Sequence, residues 1–241
     1  DTDSRFYDAA SGYKYNHLTL MGFSLTHLSG TGIPDLGDFL FIPGTGEMKL
    51  EPGTHEDPDQ GYRSRYSHDK EWASPNYYAV ELADYGVKAE MTSGVRSGMF
   101  RFTYPESDNA FIMIDMNHTL WQSCEWSNLR MINDSTITGY KLVKGWGPER
   151  HVYFTATFSK KLTGLRFVQD KKPVIYNTSR FRSSYEAWGK NLMACISFDT
   201  KAGEEVTVKT AISAVSTDGA RNNMKELDGL TFNELRAKGE A

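Results

Sequence analysis

Short apolar runs with a period of two dominate this sequence, and the segments between them constrain its fold. In 206–212 the even positions are apolar as far as Thr210, as expected for a strand that buries one face. Strands rich in Val, Ile, Phe, Tyr and Thr are predicted at 87–91, 99–104, 111–116, 152–158, 193–198 and 206–212. The spacing between strands is too short for the about ten or more residues of a crossover helix. We therefore expect a mainly β fold, built as a large antiparallel β-sandwich.

Helical signals occur only near the end of the chain. Thr217 or Asp218 is predicted to cap a first helix, and Thr231 is predicted to open a second one. The sequence shows no repeat of fixed period and no Pro-rich or Ser-rich linker. We therefore predict one sandwich domain over residues 1–216 and a helical connector over residues 217–241.

Composition excludes several classes of function. The 27 basic and 31 acidic residues give a net charge of −4 without long blocks of either sign, so we expect no nucleic-acid partner. No stretch approaches the roughly 18 consecutive apolar residues of a membrane-spanning helix, so we expect no membrane span. The chain begins at Asp1 without a signal-like apolar run, so we expect that its natural start has been lost or that it was cut to a domain. Cys124 and Cys195 are expected to be free buried thiols rather than a single bridge.

The most unusual segment is 22–35, whose core reads Thr-His-Leu-Ser-Gly-Thr-Gly. Its glycines resemble those of a phosphate-binding loop, but Pro34 and Asp35 stand where a helix should begin and no Lys follows, so nucleotide binding is not expected. Two interpretations remain open. In one, the hydroxyls and the imidazole of His27 bind a polyhydroxylated ligand that the glycines allow to approach the backbone. In the other, the glycines form a tight turn and His27 bonds a carbonyl in the core.

No catalytic or metal-binding pattern stands out among the other polar residues. Asp35, Asp38 and Glu125 have no partner that spacing indicates, and Ser24 with His27 lacks the strand-to-helix turn that exposes a nucleophile. The other histidines have no pair at i, i+4 and no thiolate companion, so their spacing predicts no histidine-based metal site. The tryptophans are expected in the core or between sheets rather than as sugar platforms. These residues are His17, His55, His68, His118 and His151, and Trp121, Trp126, Trp146 and Trp188.

Four segments together resemble one known family. The Thr-His-Leu-Ser-Gly-Thr-Gly core within 22–38 is the specific element, and Ser-Gly-Tyr at 11–13 resembles the Ser-Gly-Tyr-His-Tyr element that precedes it. Segment 85–105 resembles a strand pair that ends in Thr-Tyr-Pro, and 213–223 resembles an exit from the sandwich. With these motifs the chain is similar, over nearly its whole length, to the N-terminal domain of glycoside hydrolase family 92, the calcium-dependent exo-acting α-mannosidases.

The resemblance implies half of a two-domain enzyme. The family has an N-terminal supersandwich of antiparallel sheets, of the galactose-mutarotase-like type, followed by an α/α barrel, with the active site where the two meet. Its reaction is hydrolysis of α-mannosidic bonds with inversion, and both catalytic carboxylates come from the barrel. Calcium, bound mainly by the barrel, is expected on the mannose hydroxyls. The implied partners of this chain are mannose-containing glycans and the barrel of the same parent chain, and no catalytic residue is expected in the chain itself.

By the same resemblance, the loop and the Ser-Gly element would form the sandwich-side wall of a mannose pocket. The substrate-binding residues implied are Tyr7, Ser11, Gly12, His27, Leu28, Ser29, Gly30, Thr31, Gly32 and Asp35. Tyr7 stands where many α-1,2-mannosidases of the family carry Trp, and Lys14 and Leu25 stand where His is frequent. The α-1,2 linkage is therefore not implied.

Two functional hypotheses from different classes follow. The first is the N-terminal domain of a secreted or periplasmic exo-α-mannosidase that acts on N-glycans or mannans. The second is a noncatalytic carbohydrate-binding β-sandwich that holds glycans on exposed Trp and Tyr side chains. The sandwich half of an enzyme should leave the 26–32 loop on a bare surface with an apolar rim, whereas a binding module should bind mannan by itself. A structural interaction domain is favoured only if both tests fail.

Overall fold

Antiparallel sheets form most of the molecule. The computed structural model describes residues 1–3, 11–28, 33–175 and 186–240. The strands of this part are, in chain order, β1 (Thr19–Leu20), β2 (Leu40–Thr45), β3 (Ser64–Arg65), β4 (Glu71–Ser74), β5 (Tyr77–Leu82), β6 (Val87–Ser93), β7 (Ser97–Tyr104), β8 (Ser107–Asp115), β9 (Ser123–Asn133), β10 (Thr136–Lys144), β11 (Arg150–Phe158), β12 (Gly164–Gln169), β13 (Lys172–Pro173), β14 (Glu186–Gly189), β15 (Leu192–Thr200) and β16 (Glu204–Ser213). The helices are α1 (Thr217–Asn223) and α2 (Phe232–Glu240), with short 3-10 turns at Pro58–Gln60, His68–Lys70 and Met224–Leu227.

Each of the six predicted strands coincides with a strand of the structure, namely β6, β7, β8, β11, β15 and β16. The predicted alternation along β16 is also present: Val206, Val208 and Thr210 are buried, while Thr207 and Lys209 are partly exposed. A strand whose side chains alternate between a core and solvent has this pattern. The sequence pattern therefore identified both the strands and their inward faces.

The described residues form two large sheets and one small sheet, and every strand pairing among them is antiparallel. The larger sheet has nine strands in the order β14-β9-β10-β11-β16-β7-β6-β5-β4. The smaller one has five in the order β13-β12-β15-β8-β2, and β1 pairs with β3. The expected mainly β class and large antiparallel sandwich are thus confirmed.

The five-stranded sheet is buried on both of its faces. Alternate residues of β8 belong to opposite apolar layers: Ile112 and Ile114 pack in the core shared with the nine-stranded sheet, whereas Phe111 and Met113 pack in an outer layer. Tyr62, from the loop before β3, is part of that outer layer. Since two buried faces remove the need for polar positions, β8 has an apolar run instead of alternation.

The first helix begins one or two residues earlier than predicted. Ser216, not Thr217 or Asp218, is its N-cap, because Ser216 keeps an extended backbone and its Oγ accepts a 2.9 Å hydrogen bond from the amide of Gly219. That bond satisfies one of the amides left without a partner in the first helical turn. The prediction of Thr217 or Asp218 as the cap was therefore wrong by one or two positions.

The second helix begins as predicted. Thr231 and Glu234 cap it reciprocally: the amide and hydroxyl of Thr231 donate to Glu234 Oε2 at 2.8 and 2.7 Å, and the Glu234 amide lies 3.3 Å from Thr231 Oγ1. Phe232 and Leu235 pack with Met99 of β7 in a third apolar cluster. The helical segment is therefore held against the outer face of the nine-stranded sheet.

Two further expectations can be compared with the structure. Cys124 and Cys195 are both buried and free, which confirms the predicted thiols. None of the helices in the described ranges has the length and apolar character needed to cross a lipid bilayer.

Replacing Gly139 by Ala should destabilise the sandwich. Gly139 of β10 lies opposite Phe154 of β11, and an added Cβ would overlap the Phe154 ring. We expect Gly139→Ala to lower the free energy of unfolding by about 1–3 kcal/mol, measured by urea denaturation, because overpacked cores shift side chains from their preferred rotamers. Gly147→Ala is the matched control, since no atom lies within 4 Å of the added Cβ, and it should change stability by less than about 0.5 kcal/mol. Equal effects of the two substitutions would contradict the packing described.

Candidate functional site

The segment that carries His27 is held as an irregular antiparallel ribbon beside β2. Phe23 and Phe41 exchange two backbone hydrogen bonds of 2.9 Å, and an isolated bridge joins His27 to Leu36. The ribbon presents the His27 ring at its end, where 38% of the side chain is exposed. A backbone fixed on both sides thus carries a side chain that reaches the surface.

The buried carboxylate of Asp1 anchors this ring. Asp1 Oδ1 contacts His27 Nε2, and Asp1 Oδ2 lies 2.8 Å from His118 Nε2. Ser24 Oγ lies 3.0 Å from the same nitrogen of His27. The amide of Met21 donates to the backbone oxygen of Asp1 at 2.8 Å, which holds the residue in place. One carboxylate therefore fixes two imidazoles from distant parts of the chain.

Gly12 packs directly against this anchor. Its φ of +83° lies in the left-handed region, and a Cβ there would stand 2.6 Å from Asp1 Oδ1 and 3.1 Å from the His27 ring. Both the backbone angle and the space therefore favour glycine. The carbonyl of Gly12 also accepts a 2.6 Å hydrogen bond from the Thr2 amide. The structure thus brings together Gly12 and His27, which belong to separate motifs of the sequence.

Both imidazoles are neutral near pH 7. Burial lowers the pKa of His27 and also that of His118, because a charged ring loses its hydration. A neutral imidazole carries one N–H, and its hydrogen-bond partners assign that proton to Nε2 in both rings. Each ring then donates to the Asp1 carboxylate. The arrangement fixes the orientation of His27 through neutral donors.

A second buried carboxylate, Asp38, supports the same ribbon. Both terminal nitrogens of Arg150 donate to it, at 2.6 and 3.1 Å, and the Thr26 hydroxyl donates at 2.8 Å. Lys141 Nζ lies 3.7 Å from Asp38 and also donates to the backbone oxygen of His118. Burial by itself would raise the pKa of Asp38, but Lys141 and Arg150 outweigh it and hold the pKa below its ordinary value. The two buried carboxylates are thereby linked through Lys141 and His118.

The other predicted site residues take different positions. Leu28 is 39% exposed at the end of the ribbon, and Ser11 is half-buried. Asp35 is half-buried as well, and its carboxylate accepts hydrogen bonds from Gln122 and from the following backbone amide. Tyr7, Ser29, Gly30, Thr31 and Gly32 lie outside the described residues.

The two imidazoles that contact the Asp1 carboxylate line different clefts. His27 lines a cleft of about 790 Å³ at one end of the nine-stranded sheet, together with Thr92 and Ser97. His118 lines another of about 1110 Å³, together with Trp121. The Asp1 carboxylate therefore connects side chains of two concave surfaces.

The tryptophans contradict the expectation of core packing. Trp121, Trp126, Trp146 and Trp188 are between 45% and 60% exposed. Phe and aliphatic side chains fill the space between the sheets, whereas these tryptophans lie in turns or on the outward side of β9 and β14. Trp121 and Trp146 lie side by side, with ring centroids 6.4 Å apart.

The donor set around His27 does not fit the calcium that the resemblance implies. Calcium takes about six to eight oxygen ligands. Within the described ranges, the oxygens of Asp1 are engaged by two imidazoles, and those of Asp38 by cations and a hydroxyl. These carboxylates serve the packing of the ribbon and do not form an oxygen cage.

Sequence reasoning did not identify the residues that support the ribbon. They are Asp1, His118, Lys141 and Arg150. One signal was available: Lys141 shares the inward face of β10 with Ile137 and Val143, where a charge needs a partner. His118 carried no such signal, because 117 positions separate it from Asp1.

Comparison with known proteins identifies the family. A family model described as the glycosyl hydrolase family 92 N-terminal domain matches residues 1–213. The chain belongs to glycosyl hydrolase family 92. The resemblance expected from the Thr-His-Leu-Ser-Gly-Thr-Gly motif is confirmed, and the chain is an N-terminal domain of that family.

Two solved structures share the fold of this family 92 domain. The family 92 glycosyl hydrolase CcMan5 is 25% identical with a TM-score of 0.77, and the match covers 96% of this chain and 31% of that one. The family 92 inverting mannosidase BT2199 from Bacteroides thetaiotaomicron VPI-5482 is 21% identical with a TM-score of 0.76, covering 98% and 30%. The family 92 domain thus spans less than a third of these two proteins. No curated protein sequence matches it.

Removing the charge of Asp38 should destabilise the family 92 domain strongly. Asp38→Asn leaves Lys141 buried without its counter-charge, so we expect a loss of about 3–5 kcal/mol in the free energy of unfolding. Asp59→Asn is the matched control, because Asp59 is 71% exposed in its pair with Arg65, and it should cost less than about 1 kcal/mol. Urea denaturation of both variants measures the difference. Similar losses of unfolding free energy in the two variants would show that the buried ion pairs do not stabilise the domain more than the exposed pair does.

The effect of Asp38 should also depend on pH. Its folded pKa lies below the ordinary value of 3.8, so its stabilising contribution is complete above that value and is lost as pH falls through the folded pKa. The stability difference between the wild type and Asp38→Asn should be largest near neutral pH and should shrink at the acid end of a pH series of urea midpoints. A constant difference over the whole series would contradict the lowered pKa.

Proposed function

We propose that this family 92 domain is the sandwich half of an inverting exo-α-mannosidase that acts on N-glycans or mannans. Membership of the family supports the proposal, as does the similarity in fold to a protein named as an inverting mannosidase. In the proposal, an α/α barrel of the same parent chain supplies the general acid and the general base. The domain contributes a wall that positions the sugar.

The observation that carries this proposal is the way in which His27 is fixed. Its Nε2 edge is tied to the buried Asp1 carboxylate, while 38% of its side chain remains exposed. Leu28 and Ile33 are each 39% exposed on the same ribbon, which gives this surface an apolar rim. A ring whose orientation is set before binding loses little entropy when it meets a ligand. This surface suits contact with a sugar ring and its hydroxyls.

The carboxylates next to His27 suit a supporting role better than catalysis. Inversion needs a protonated and an ionised carboxyl group about 6.5–9.5 Å apart across the sugar. Asp38 is buried and held ionised by two cations, and Asp1 is enclosed between two imidazoles. The proposal therefore gives both residues the task of holding the ribbon, and it takes the acid and base from the barrel.

Two further parts of the proposal concern a metal ion and the cellular location of the protein. We propose that calcium acts on the mannose hydroxyls and is bound mainly by the barrel, since a hard cation prefers oxygen ligands. We also propose a secreted or periplasmic location, where glycans are accessible. Sequencing the coding region downstream of residue 241 tests whether the parent chain contains the barrel, because a barrel with suitable Glu and Asp residues should follow.

Hydrolysis assays test whether this domain binds the sugar while the barrel carries out catalysis. The 241-residue chain alone should release no 4-nitrophenol from 4-nitrophenyl α-mannoside. In the parent enzyme, His27→Gln should lower kcat/KM by about 2- to 10-fold, the equivalent of one lost hydrogen bond of ordinary strength. His151→Gln, which alters a histidine on β11, should leave kcat/KM unchanged. Hydrolysis by the purified chain alone, or wild-type kinetics of His27→Gln, would overturn the proposal.

The exposed tryptophans support a second candidate function, a noncatalytic glycan-binding surface. Trp188 of β14 lies opposite Asn128 of β9, so Trp126 projects from the same face of the sheet. Both rings are about half exposed. Aromatic faces of this kind stack on sugar rings and lose apolar surface to water as they do so.

Calorimetry with mannan separates this candidate from the first. If the tryptophan face binds glycans, the 241-residue chain should bind mannan by itself, and a Trp126→Ala/Trp188→Ala double variant should lose that binding. His27→Gln serves as the control in this assay and should bind as the wild type does. Absence of binding by the unmodified chain would exclude the second function and leave the first intact.

A further inference from the structure

Three residues from separate segments meet beside the small sheet of β1 and β3. Asp3 lies near the start of the chain, His17 precedes β1, and His55 lies in the loop between β2 and β3. Each offers one ligand atom, and the three atoms lie within 4.8 Å of one another. Asp3 Oδ2 is 3.2 Å from His55 Nε2, and the two imidazole rings pack with centroids 3.9 Å apart. In the part of the chain that the structure describes, no other group of His, Cys, Asp or Glu is arranged in this way.

The two imidazoles are oriented by a second layer of hydroxyl groups. His17 Nδ1 lies 3.2 Å from Thr2 Oγ1, and His55 Nδ1 lies 2.7 Å from Thr19 Oγ1. Arg63 in turn donates to Thr19 Oγ1 at 3.2 Å and to the backbone oxygen of Thr2 at 2.5 Å. Histidines that bind metals are usually held in this manner, with the second ring nitrogen bonded to a neighbouring group. The rings therefore have the support that a metal site needs.

The cluster is sheltered from solvent. The side chain of Asp3 is 6% exposed and that of His55 is 15% exposed. Asp3 Oδ2 and His55 Nε2 face each other within hydrogen-bond distance. A metal ion between these two groups would take the place of the proton in that hydrogen bond.

We propose that Asp3, His17 and His55 bind a divalent transition metal of the zinc type. One oxygen of Asp3, one ring nitrogen of His17 and Nε2 of His55 would be the protein ligands, and water would complete the coordination. Two imidazoles and one carboxylate form a donor set that suits zinc, which commonly has three protein ligands at sites that keep an open position. The site takes its ligands from three segments that are otherwise joined only by packing and hydrogen bonds.

The same donor set discriminates against calcium. Calcium prefers about six to eight oxygen ligands and binds imidazole nitrogen poorly. The cluster offers two nitrogens and one carboxylate. The proposed metal is therefore a different ion from the one expected on the mannose hydroxyls, and it occupies a different place.

A metal at this cluster would also steady the sugar-facing site. Asp3 is two residues from Asp1, and the Thr2 amide between them donates to Gly12 O. Fixing Asp3 to His17 and His55 restricts the backbone that carries the Asp1 carboxylate, and hence the anchor of His27. The role assigned to the metal is structural: it ties the first residues of the chain to the outer layer of the sandwich.

Zinc titration of the metal-stripped 241-residue chain tests the proposal. Calorimetry should show one Zn²⁺ bound per chain, and binding should raise the melting temperature because the metal favours the folded state. About a 100-fold excess of Ca²⁺ should not displace the zinc, since the ligands are mainly nitrogen. Co²⁺ used as a probe should give the intense visible absorption of low-coordinate cobalt with nitrogen ligands. Failure of the chain to bind Zn²⁺, or displacement of zinc by Ca²⁺, would overturn the proposal.

Variants then locate the site. His17→Gln and His55→Gln should each weaken zinc binding by more than about 100-fold, because loss of a direct ligand exceeds the 10- to 100-fold effect typical of outer partners. His151→Gln is the matched control and should bind zinc as the wild type does. Circular dichroism checks that each variant is folded. If a histidine variant does not fold, Asp3→Asn, which keeps the side-chain size, is tested in its place. Wild-type zinc affinity in a folded His17→Gln/His55→Gln double variant would show that these residues do not hold the metal.

Discussion

The double burial of the five-stranded sheet is the constraint on which the rest of the structure depends. One face packs on the nine-stranded sheet, and the other must be covered by segments outside the sandwich. Met21 and Tyr62 provide part of that cover. Met21 and the residue after Tyr62 also hold the first residues of the chain. The Met21 amide donates to Asp1 O, and Arg63 donates to Thr2 O. Apolar burial thereby brings Asp1 to His27 and Asp3 to His17 and His55.

The two buried carboxylates near the His27 ribbon are accommodated in opposite ways. Asp38 stays ionised because Lys141 and Arg150 supply opposite charge in a region where water cannot. Asp1 is solvated by two neutral imidazoles, whose N–H groups replace the hydrogen bonds of water. Both arrangements leave the outer edge of His27 exposed while its inner edge is fixed. For the sugar contact proposed above, this rigidity means that little motion has to be frozen on binding.

Much of the architecture could be predicted because it depends on local patterns. The six strands followed from apolar runs and alternation, and the second helix from the Thr231 cap, since a strand face or a capping residue is decided by near neighbours. The Trp prediction was wrong because residue type alone does not say which side of a sheet a ring occupies. The cap of the first helix was missed by one or two positions because Ser216, Thr217 and Asp218 are all good capping residues, and only the backbone angle distinguishes them.

The sequence by itself determined the β class, the antiparallel pairing and, through the Thr-His-Leu-Ser-Gly-Thr-Gly motif, the family. Those features are encoded in spacings of a few residues. Only the tertiary structure decided that Asp1 lies between His27 and His118, and that His17 and His55 converge on Asp3. The physical reason is distance along the chain: these residues meet because sheet packing and loop cover bring remote segments together, and no local periodicity records such a contact.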